Sequence, residues 1–216
     1  MKDMRKNKSW CVGTLLIVAA FLLSSCGTFP NRPEEPMHTY VLRAEIPTEA
    51  QPMTQGTGTL LVNVPRAQSG FNTQRMIYVK QDHELNYFAV NQWAETPAHM
   101  LLPLLVKALE NTSQWGAVVQ MPSPVRGDYQ LVSENLLLQQ EFTQKPSRVR
   151  IHLRLQLIRM PNSHVLATRE FTVLESAKAD DPYGGVQAAN AATERLLKEI
   201  SEWASLCMVE PTHKKC

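Results

Sequence analysis

The sequence predicts an α+β fold, a two-layer sandwich in which a mixed, largely antiparallel sheet carries two main helices packed on one face. Several stretches are rich in β-branched and aromatic residues and are bounded by proline, glycine or asparagine, which is typical of strands. Two longer stretches repeat apolar residues at helical spacing. The chain after residue 25 has 191 residues, enough to bury one core, so we expect a single domain.

Four short strands are expected before the first helix. Residues 39–46 (TYVLRAEI) and 59–64 (TLLVNV) are the first two, and the second ends at a proline, which cannot donate a ladder hydrogen bond. Residues 75–80 and 85–90 flank the polar segment 81–84. This arrangement predicts a hairpin with a four-residue turn.

The first helix is predicted to begin at Thr96 and Pro97, which have the residue types of an N-cap and a first helical position, and to end at Glu110. Its inward face is expected to consist of leucines: Leu101, Leu104, Leu105 and Leu109. Pro103 lies inside this segment. We expect it to kink the helix or to remove one hydrogen bond.

Between the helices, residues 115–121 predict a short strand. Three long strand-like stretches follow, at 129–142, 147–160 and 165–176. A compact turn at 161–163 (PNS) joins the last two, so we expect an antiparallel pair there.

The chain closes on a long helix, residues 182–206. An apolar stripe at helical spacing marks its inward face: Val186, Ala189, Thr193, Leu196, Leu197, Ile200, Trp203 and Ala204. Gly184 and Gly185 weaken the first turn. Asp180 and Asp181 precede the helix and are interpreted as an N-terminal capping pair, which the helix dipole favours; a metal site is the less favoured alternative.

The stretch 147–160 has one apolar and one polar face. Its apolar residues are Val149, Ile151, Leu153, Leu155 and Leu157, and they alternate with polar ones. The polar face carries Arg148, Arg150 and Arg154, with successive same-face positions about 6.6–7 Å apart. Either these arginines pair across strands with acids such as Glu134 or Glu170, or they form a docking surface for a second subunit or an acidic partner.

Two aromatic features offer a similar choice. Phe71, in the loop 67–73, either anchors that loop or is exposed and inserts into a lipid or protein groove. Trp93, together with Tyr87 and Phe88, precedes the first helix and is interpreted as core rather than as part of a ligand cage.

The sequence contains no serine-hydrolase, zinc-protease or glycine-rich phosphate-loop motif, and its six histidines lack metal-ligand spacing. Asp82, His83 and Glu84 form a compact polar cluster, which we interpret as the solvated tip of the hairpin. We therefore expect a protein that is not an enzyme and that has no catalytic residue, metal or cofactor.

The charge of the chain is divided unevenly. Residues 1–25 carry four basic side chains and one acidic one, which leaves 18 basic and 19 acidic side chains in the remainder. The remainder therefore has a formal charge of −1, which excludes general nucleic-acid binding because that function needs a net positive surface.

The first 25 residues have the basic, apolar and small-residue parts of a secretory signal peptide. The segment LSSCG at 23–27 is typical of a bacterial lipobox, in which Cys26 becomes the acylated N-terminus; two or three acyl chains make a permanent anchor. An ordinary secreted protein with an accidental Cys26 is the alternative. Gly27, in place of an aspartate, favours the periplasmic face of the outer membrane.

We expect four segments: a signal peptide at 1–25, a lipidated tether at 26–38, the domain at 39–206 and a tail at 207–216. The tether carries three prolines and has no apolar periodicity. Cys207 and Cys216 remain after the other cysteines are assigned, and in an oxidising compartment we expect them to form a disulfide, with two free thiols as the alternative.

A family resemblance follows from these residues. Tyr40-Val41-Leu42 shortly after a lipidated cysteine, LLVNVP at 60–65, IYV at 77–79 and LNYFAVNQWAETP at 85–97 resemble the ABC-type transport auxiliary lipoproteins, and within them the paraquat-inducible protein C type. The similarity runs over residues 38–205.

This resemblance implies an accessory lipoprotein of an MCE-type lipid transport system. Its partner would be an inner-membrane protein whose MCE domains bridge the periplasm, and it would dock that bridge without catalysing a reaction. A tubular partner also makes a homo-oligomeric ring plausible. The alternatives are an envelope scaffold that regulates cell-wall synthesis and, less favoured, an unrecognised periplasmic hydrolase.

Overall fold

A computed structural model describes residues 35–46 and 56–209 of the chain. It contains eight strands and two α-helices: β1 (His38–Tyr40), β2 (Thr59–Val62), β3 (Arg75–Val79), β4 (Asn86–Trp93), α1 (Pro97–Glu110), β5 (Ala117–Gln120), β6 (Tyr129–Glu141), β7 (Arg148–Arg159), β8 (His164–Ser176) and α2 (Pro182–Val209). The predicted α+β class is confirmed. The predicted signal peptide, Cys26 and Cys216 lie outside the described residues.

The strands β6, β7 and β8 form an antiparallel meander that is paired along nearly its whole length. A short 3₁₀ turn at Met160–Asn162 joins β7 to β8, and Ser163 completes it in the left-handed conformation, with φ of 52°. The expected alternation in β7 is confirmed, because every second side chain from Val149 to Leu157 is buried. These residues form the centre of the core.

The other edge of β6 is divided between two strands. Strand β2 pairs in parallel with its first residues, Leu60 opposite Tyr129, and β3 pairs in parallel with its last, Tyr78 opposite Gln140. Strand β5 extends the sheet beyond β2, while β4 and then β1 extend it beyond β3. The sheet is therefore mixed: its long ladders are antiparallel, and four of the seven pairings among the described strands are parallel.

A β-bulge interrupts β6 at Asn135. Glu134 pairs with Arg154 and Leu137 with His152, so two residues of β6 face a single residue of β7. Asn135 takes the extra place with a positive φ of 58°. The bulge reverses which residues point inward. Odd-numbered residues such as Ser133 are buried before it, and even-numbered residues such as Leu136 are buried after it.

Helix α1 begins as predicted. The Thr96 hydroxyl oxygen accepts a hydrogen bond from the backbone N–H of His99 at 3.4 Å. The helix continues through Pro103, which is exposed and cannot donate a backbone hydrogen bond. Leu101, Leu105 and the other predicted inward leucines are buried or packed against the core.

The first turn of α2 approaches the sheet closely. A Cβ atom on Gly184 would lie 2.2 Å from the carbonyl oxygen of Ala179, and one on Gly185 would lie 2.2 Å from Oε1 of Gln140. Asp181 caps the helix, since its Oδ1 accepts a hydrogen bond from the N–H of Gly184 at 2.7 Å. Asp180 does not cap; its Oδ1 accepts a hydrogen bond from the N–H of Ser147 at 2.6 Å.

The predicted inward stripe of α2 is confirmed, and all of its members are buried. Trp203 meets Phe171 of β8 edge to face, with ring centroids 5.6 Å apart. Trp93 is buried in the same core, which confirms its interpretation as a core residue. The helices and the inner face of the sheet therefore share one core.

Several limits differ from the prediction. Strand β2 ends at Val62, β4 runs on to Trp93, and six residues, 80–85, connect β3 to β4 instead of the predicted four. Helix α2 continues to Val209. Strand β1 covers only His38–Tyr40, because its partner β4 ends at Trp93 just before α1. Strand β5 is also shorter, covering Ala117–Gln120. Beyond β1, the backbone N–H of Arg43 donates to Oδ1 of Asn190 in α2 instead of to a strand.

Candidate functional site

The outer face of the meander carries the arginines that the sequence singled out. Arg148 and Arg150 both turn towards Glu141, the last residue of β6. Nε of Arg148 donates to Oε2 of Glu141 at 2.8 Å, and Nε of Arg150 donates to Oε1 at 2.5 Å. Nε2 of Gln139 donates a further hydrogen bond to Oε1 at 2.9 Å. The carboxylate is thus held from three sides.

The environment of Glu141 shifts its acidity strongly. Its side chain is only 8% exposed, and burial alone would raise the pKa of the carboxyl. Hydrogen bonds from Arg150, Arg148 and Gln139 more than reverse that effect and lower the pKa from 4.5 to about 2. Glu141 is therefore ionised at any pH the folded protein ordinarily meets.

Arg154 belongs to a separate pair. Its Nη1 donates to Oε1 of Glu134 at 2.8 Å, across the β6–β7 ladder. Glu170 stands opposite Arg154 in β8, but the ion pair forms with Glu134. Cross-strand pairing with an acid, the first of the two interpretations, is therefore confirmed for Arg148, Arg150 and Arg154. The role of these arginines towards a partner stays a prediction.

A groove of about 400 Å³ lies beside the Glu141 pairs. Arg148 and Arg150 form one wall, and Phe71 belongs to the loop that forms another. The hairpin tip closes the groove with Asp82, His83 and Glu84, while Leu137 and Val79 supply apolar lining. The structure therefore brings together three of the predicted partner-binding residues and leaves Arg154 outside.

Phe71 is placed differently from the exposed alternative. Its side chain is 6% exposed, so the ring anchors the loop in the interior rather than projecting into solvent. The loop is held by a hydrogen bond from the N–H of Phe71 to the carbonyl of Gln68 at 2.9 Å. Gly70 takes a φ of 88° beside it, a conformation that favours glycine. Docking through an exposed Phe71 is not supported by this position.

Glu141 is the functional candidate that the sequence interpretation missed. That interpretation named Glu134 and Glu170 as acids for the arginine face. The sequence did contain a signal for this contact, namely the short connection 142–147. Because that connection is short, Glu141 and Arg148 at its two ends form the first pair of the β6–β7 ladder. Counting back from that turn would have placed a carboxylate beside the first arginine.

A second groove, of about 580 Å³, lies between the helices. Ala108 and Leu197 provide apolar lining, and Glu194, Lys198 and Glu202 provide charged side chains of both signs. It contains none of the predicted partner-binding residues. The groove beside Glu141 is therefore the stronger candidate site.

Cys207 lies in the last part of α2 and is buried against the core. Its expected disulfide partner Cys216 and the expected lipidation site Cys26 fall outside the described residues. Both assignments therefore stay predictions.

Within residues 35–46 and 56–209, no three His, Cys, Asp or Glu side chains are grouped so that they could hold a metal ion. In the same part of the chain, no helix is both long and apolar enough to cross a membrane.

Residues 40–201 match the sequence profile of the ABC-type transport auxiliary lipoprotein component. The chain belongs to this family. The ABC-type transport auxiliary lipoprotein assignment agrees with the resemblance found in the sequence and covers both the Glu141 groove and the sheet around it. No curated protein sequence matches the chain.

Solved structures share the fold of this auxiliary lipoprotein. Protein XCC0632 from Xanthomonas campestris is 24% identical, with a TM-score of 0.68, over 80% of this chain and 95% of that one. An uncharacterised protein is 16% identical, with a TM-score of 0.60, over 79% and 100% of the two chains. The hypothetical protein CT253 from Chlamydia trachomatis is 6% identical, with a TM-score of 0.52, over 71% and 98%. At these identities the likeness concerns the fold.

Proposed function

We propose that this auxiliary lipoprotein is a non-catalytic docking subunit of an MCE-type system that moves lipids between two membranes. It would be attached to the periplasmic face of the outer membrane through acylated Cys26. The observation that carries the proposal is the family match over residues 40–201, since that family is an auxiliary component of transport. The lipobox at 23–27 supports the anchor.

The groove beside Glu141 has the chemistry of a docking site. Arg148 commits Nε to Glu141, and Arg150 commits Nε and Nη2. Their side chains stay 28% and 29% exposed. A guanidinium presents five N–H donors, so each arginine retains donors for an acidic group of a partner. The Glu141 contacts hold both arginines in one orientation, which lowers the entropy cost of binding.

The same geometry argues against Glu141 as a general acid or base. A general acid or base works best when its pKa lies near the working pH. Hydrogen bonds from Arg150, Arg148 and Gln139 keep the pKa of Glu141 at about 2 despite its burial. Its carboxylate would not take up a proton near neutral pH, so its role in the proposal is to position the arginines.

A crosslinked pull-down from native envelopes tests the function, using the full lipidated protein and mass spectrometry. Recovery of an inner-membrane protein with MCE domains is the expected result. Recovery of cell-wall synthases without any MCE protein would contradict the proposal and favour the envelope-scaffold alternative.

The groove is tested in the same experiment with two matched variants. Arg148→Gln changes the groove, whereas Arg154→Gln changes an arginine of the same sheet face that lies outside it. We expect Arg148→Gln to reduce recovery of the MCE protein by about tenfold, the effect of losing one strong interface contact. Arg154→Gln should leave recovery unchanged; equal recovery with both variants would exclude the groove as the docking site.

Self-association is proposed as a second use of the arginine face, because a tubular partner would fit a ring of copies. Sedimentation of the detergent-solubilised lipidated protein measures this directly. A single monomeric species at all concentrations would contradict it and leave the docking proposal standing.

A further inference from the structure

Exposed apolar side chains concentrate where the described domain begins. Met37 is 54% exposed and Tyr183, in the first turn of α2, is 57% exposed, and Val41 lies just beyond β1. The rings of Tyr40 and Tyr183 are 6.2 Å apart, and His38 stacks on Tyr40 at 6.5 Å. Strand β1 and the start of α2 thus present one aromatic cluster to solvent.

A second aromatic cluster lies at the hairpin end of β3 and β4. The ring of Tyr78 is 4.6 Å from Phe88 and 5.8 Å from Phe142, and the latter two are 6.4 Å apart. All three are half-buried. Nζ of Lys80 lies 5.4 Å from the centre of the Tyr78 ring, so a cation accompanies the cluster.

Gln140 connects the second cluster to the start of α2, where the first cluster lies. Gln140 of β6 pairs with Tyr78 and also lies against Gly185, two residues after Tyr183. Nε2 of Gln140 donates to the carbonyl oxygen of Asp181 at 3.2 Å. We call the two clusters together the aromatic end of the domain; it consists of Met37, His38, Tyr40, Val41, Tyr78, Phe88, Phe142 and Tyr183.

The chemistry of the aromatic end suits a lipid–water boundary. Tyrosine combines an apolar ring with a polar tip and is favoured where one side of a residue is apolar and the other wet. A lysine such as Lys80 can bury its stem while its ammonium reaches phosphate groups.

The position of the aromatic end identifies the occupant. Met37 follows Cys26 by eleven residues, a distance of at most about 40 Å when the chain is extended. The described domain therefore joins the tether at this end, within that distance of the anchor. A short tether also gives the domain an effective concentration at the surface in roughly the millimolar range, so weak contacts suffice.

We propose that the aromatic end is a membrane-contact surface that rests in the phospholipid headgroup region of the bilayer holding the anchor. The inference rests on the lipid anchor in the proposed function. It adds an orientation: the aromatic end faces the bilayer, and the opposite end of the long strands, with Val125 and Val165, faces away.

The test uses full-length lipidated protein in vesicles of phosphatidylethanolamine and phosphatidylglycerol that contain a diazirine-bearing phosphatidylcholine. After illumination, crosslinked peptides are mapped by mass spectrometry. Crosslinks are expected at 36–43, at Phe88, at Phe142 and at 182–186, and not at 82–84, the hairpin tip that lines the groove proposed for the protein partner. Crosslinks concentrated at 124–126 or 164–166 would overturn the proposal.

Two variants sharpen the comparison. Tyr183→Ser alters the aromatic end, and Val165→Ser alters a side chain of similar exposure, 45%, at the opposite end. Both are exposed, so folding should persist, which circular dichroism checks. Tyr183→Ser should lower lipid crosslinking at 182–186 by roughly fivefold, because apolar ring area is lost from the interface. Val165→Ser should not change it, and an equal effect of both variants would contradict the proposal.

Flotation separates failure of the anchor from failure of the orientation. The anchor is wrong if the lipidated protein without substitutions does not float with vesicles, or if the Cys26→Ala variant floats equally well. In either case the inference fails too. If the chain floats through Cys26 but crosslinks are spread evenly over both ends, only the orientation is wrong. In native envelopes, a photoreactive residue at position 183 that crosslinks protein instead of lipid would assign this surface to a protein partner.

Discussion

Gly185 of α2 lies directly against Gln140 of β6, so closely that a Cβ atom at position 185 would be 2.2 Å from Oε1 of the glutamine. The amide of Gln140 is itself fixed, because its Nε2 donates to Oγ of Ser147 at 3.0 Å and to the carbonyl of Asp181 at 3.2 Å. The absence of a side chain at 185 thus sets how near the helix can start to the sheet.

Gly185→Ala should destabilise the protein by about 1–3 kcal/mol, the usual cost of forcing extra volume into a packed region. The helical preference of alanine over glycine, about 1 kcal/mol, acts in the opposite direction but is smaller than this steric cost. Urea unfolding measures the difference. The double variant with Gln140→Ala should lose less than the sum of the two single variants, whereas additive losses would show that the contact carries no energy.

Acid should weaken the fold through Glu141. Hydrogen bonds from Arg150, Arg148 and Gln139 outweigh burial and lower the pKa of this carboxyl from 4.5 to about 2, so the folded state binds fewer protons than the unfolded state between those values. The stabilisation is complete above about pH 5 and is lost as the pH falls towards 2, with a total of about 3 kcal/mol. Urea unfolding at pH 6, 4 and 3 measures it.

Glu141→Gln should flatten that pH dependence, because no carboxyl remains at 141 to titrate. Glu170→Gln is the matched control, since Glu170 is an exposed acid of the same sheet face. The Glu170→Gln control should show the same pH dependence of unfolding free energy as the protein without substitutions. An unchanged slope in Glu141→Gln would show that other groups cause the acid sensitivity.

The bulge at Asn135 should tolerate glycine and reject branched residues. Its φ of 58° costs an ordinary side chain about 1–2 kcal/mol, and asparagine and glycine less. Asn135→Val should therefore lower the free energy of unfolding by roughly that amount, while Asn135→Gly should remain within about 0.5 kcal/mol. Equal stability of the two variants would contradict the role of backbone conformation at this position.

The predicted disulfide between Cys207 and Cys216 should contribute about 2.5–3 kcal/mol by restricting the unfolded chain. Cys216→Ser should lower the free energy of unfolding by that amount, and reduction of the unsubstituted protein should have the same effect. Peptide mapping without reduction gives the direct answer. Recovery of both cysteines as alkylated thiols from the oxidised protein would contradict the bond.

Sequence patterns predicted those features of the fold that arise within a single strand or helix. The alternation from Arg148 to Leu157 and the stripe of α2 both follow from the geometry of a single element, and both are confirmed. The placement of Arg148, Arg150 and Arg154 on one face of β7 follows from the same alternation and is also confirmed. Thr96 and Asp181 cap their helices as their residue types indicate.

The pairings of β2 and β3 could not be predicted in this way. Both join the same edge of β6 in parallel, and no periodicity in a strand records which distant strand lies beside it. The bulge at Asn135 was hidden because one inserted residue leaves the composition of β6 unchanged. The groove beside Glu141 depends on the loop between β2 and β3, which runs along the edge of β6, and this is a non-local arrangement of the same kind.

The divided edge of β6 has a consequence for the order of folding. A chain emerges from its N-terminus, and β2 and β3 appear well before Tyr129–Glu141, the strand that both must join. The meander of β6, β7 and β8 needs only near neighbours, so its loops close early. Strand β2 can pair with β5, and β3 with β4, before β6 appears, but each pair keeps one edge open until β6 joins them. The first half of the domain therefore emerges as two separate groups of strands, and their open edges are the places where wrong pairing can begin.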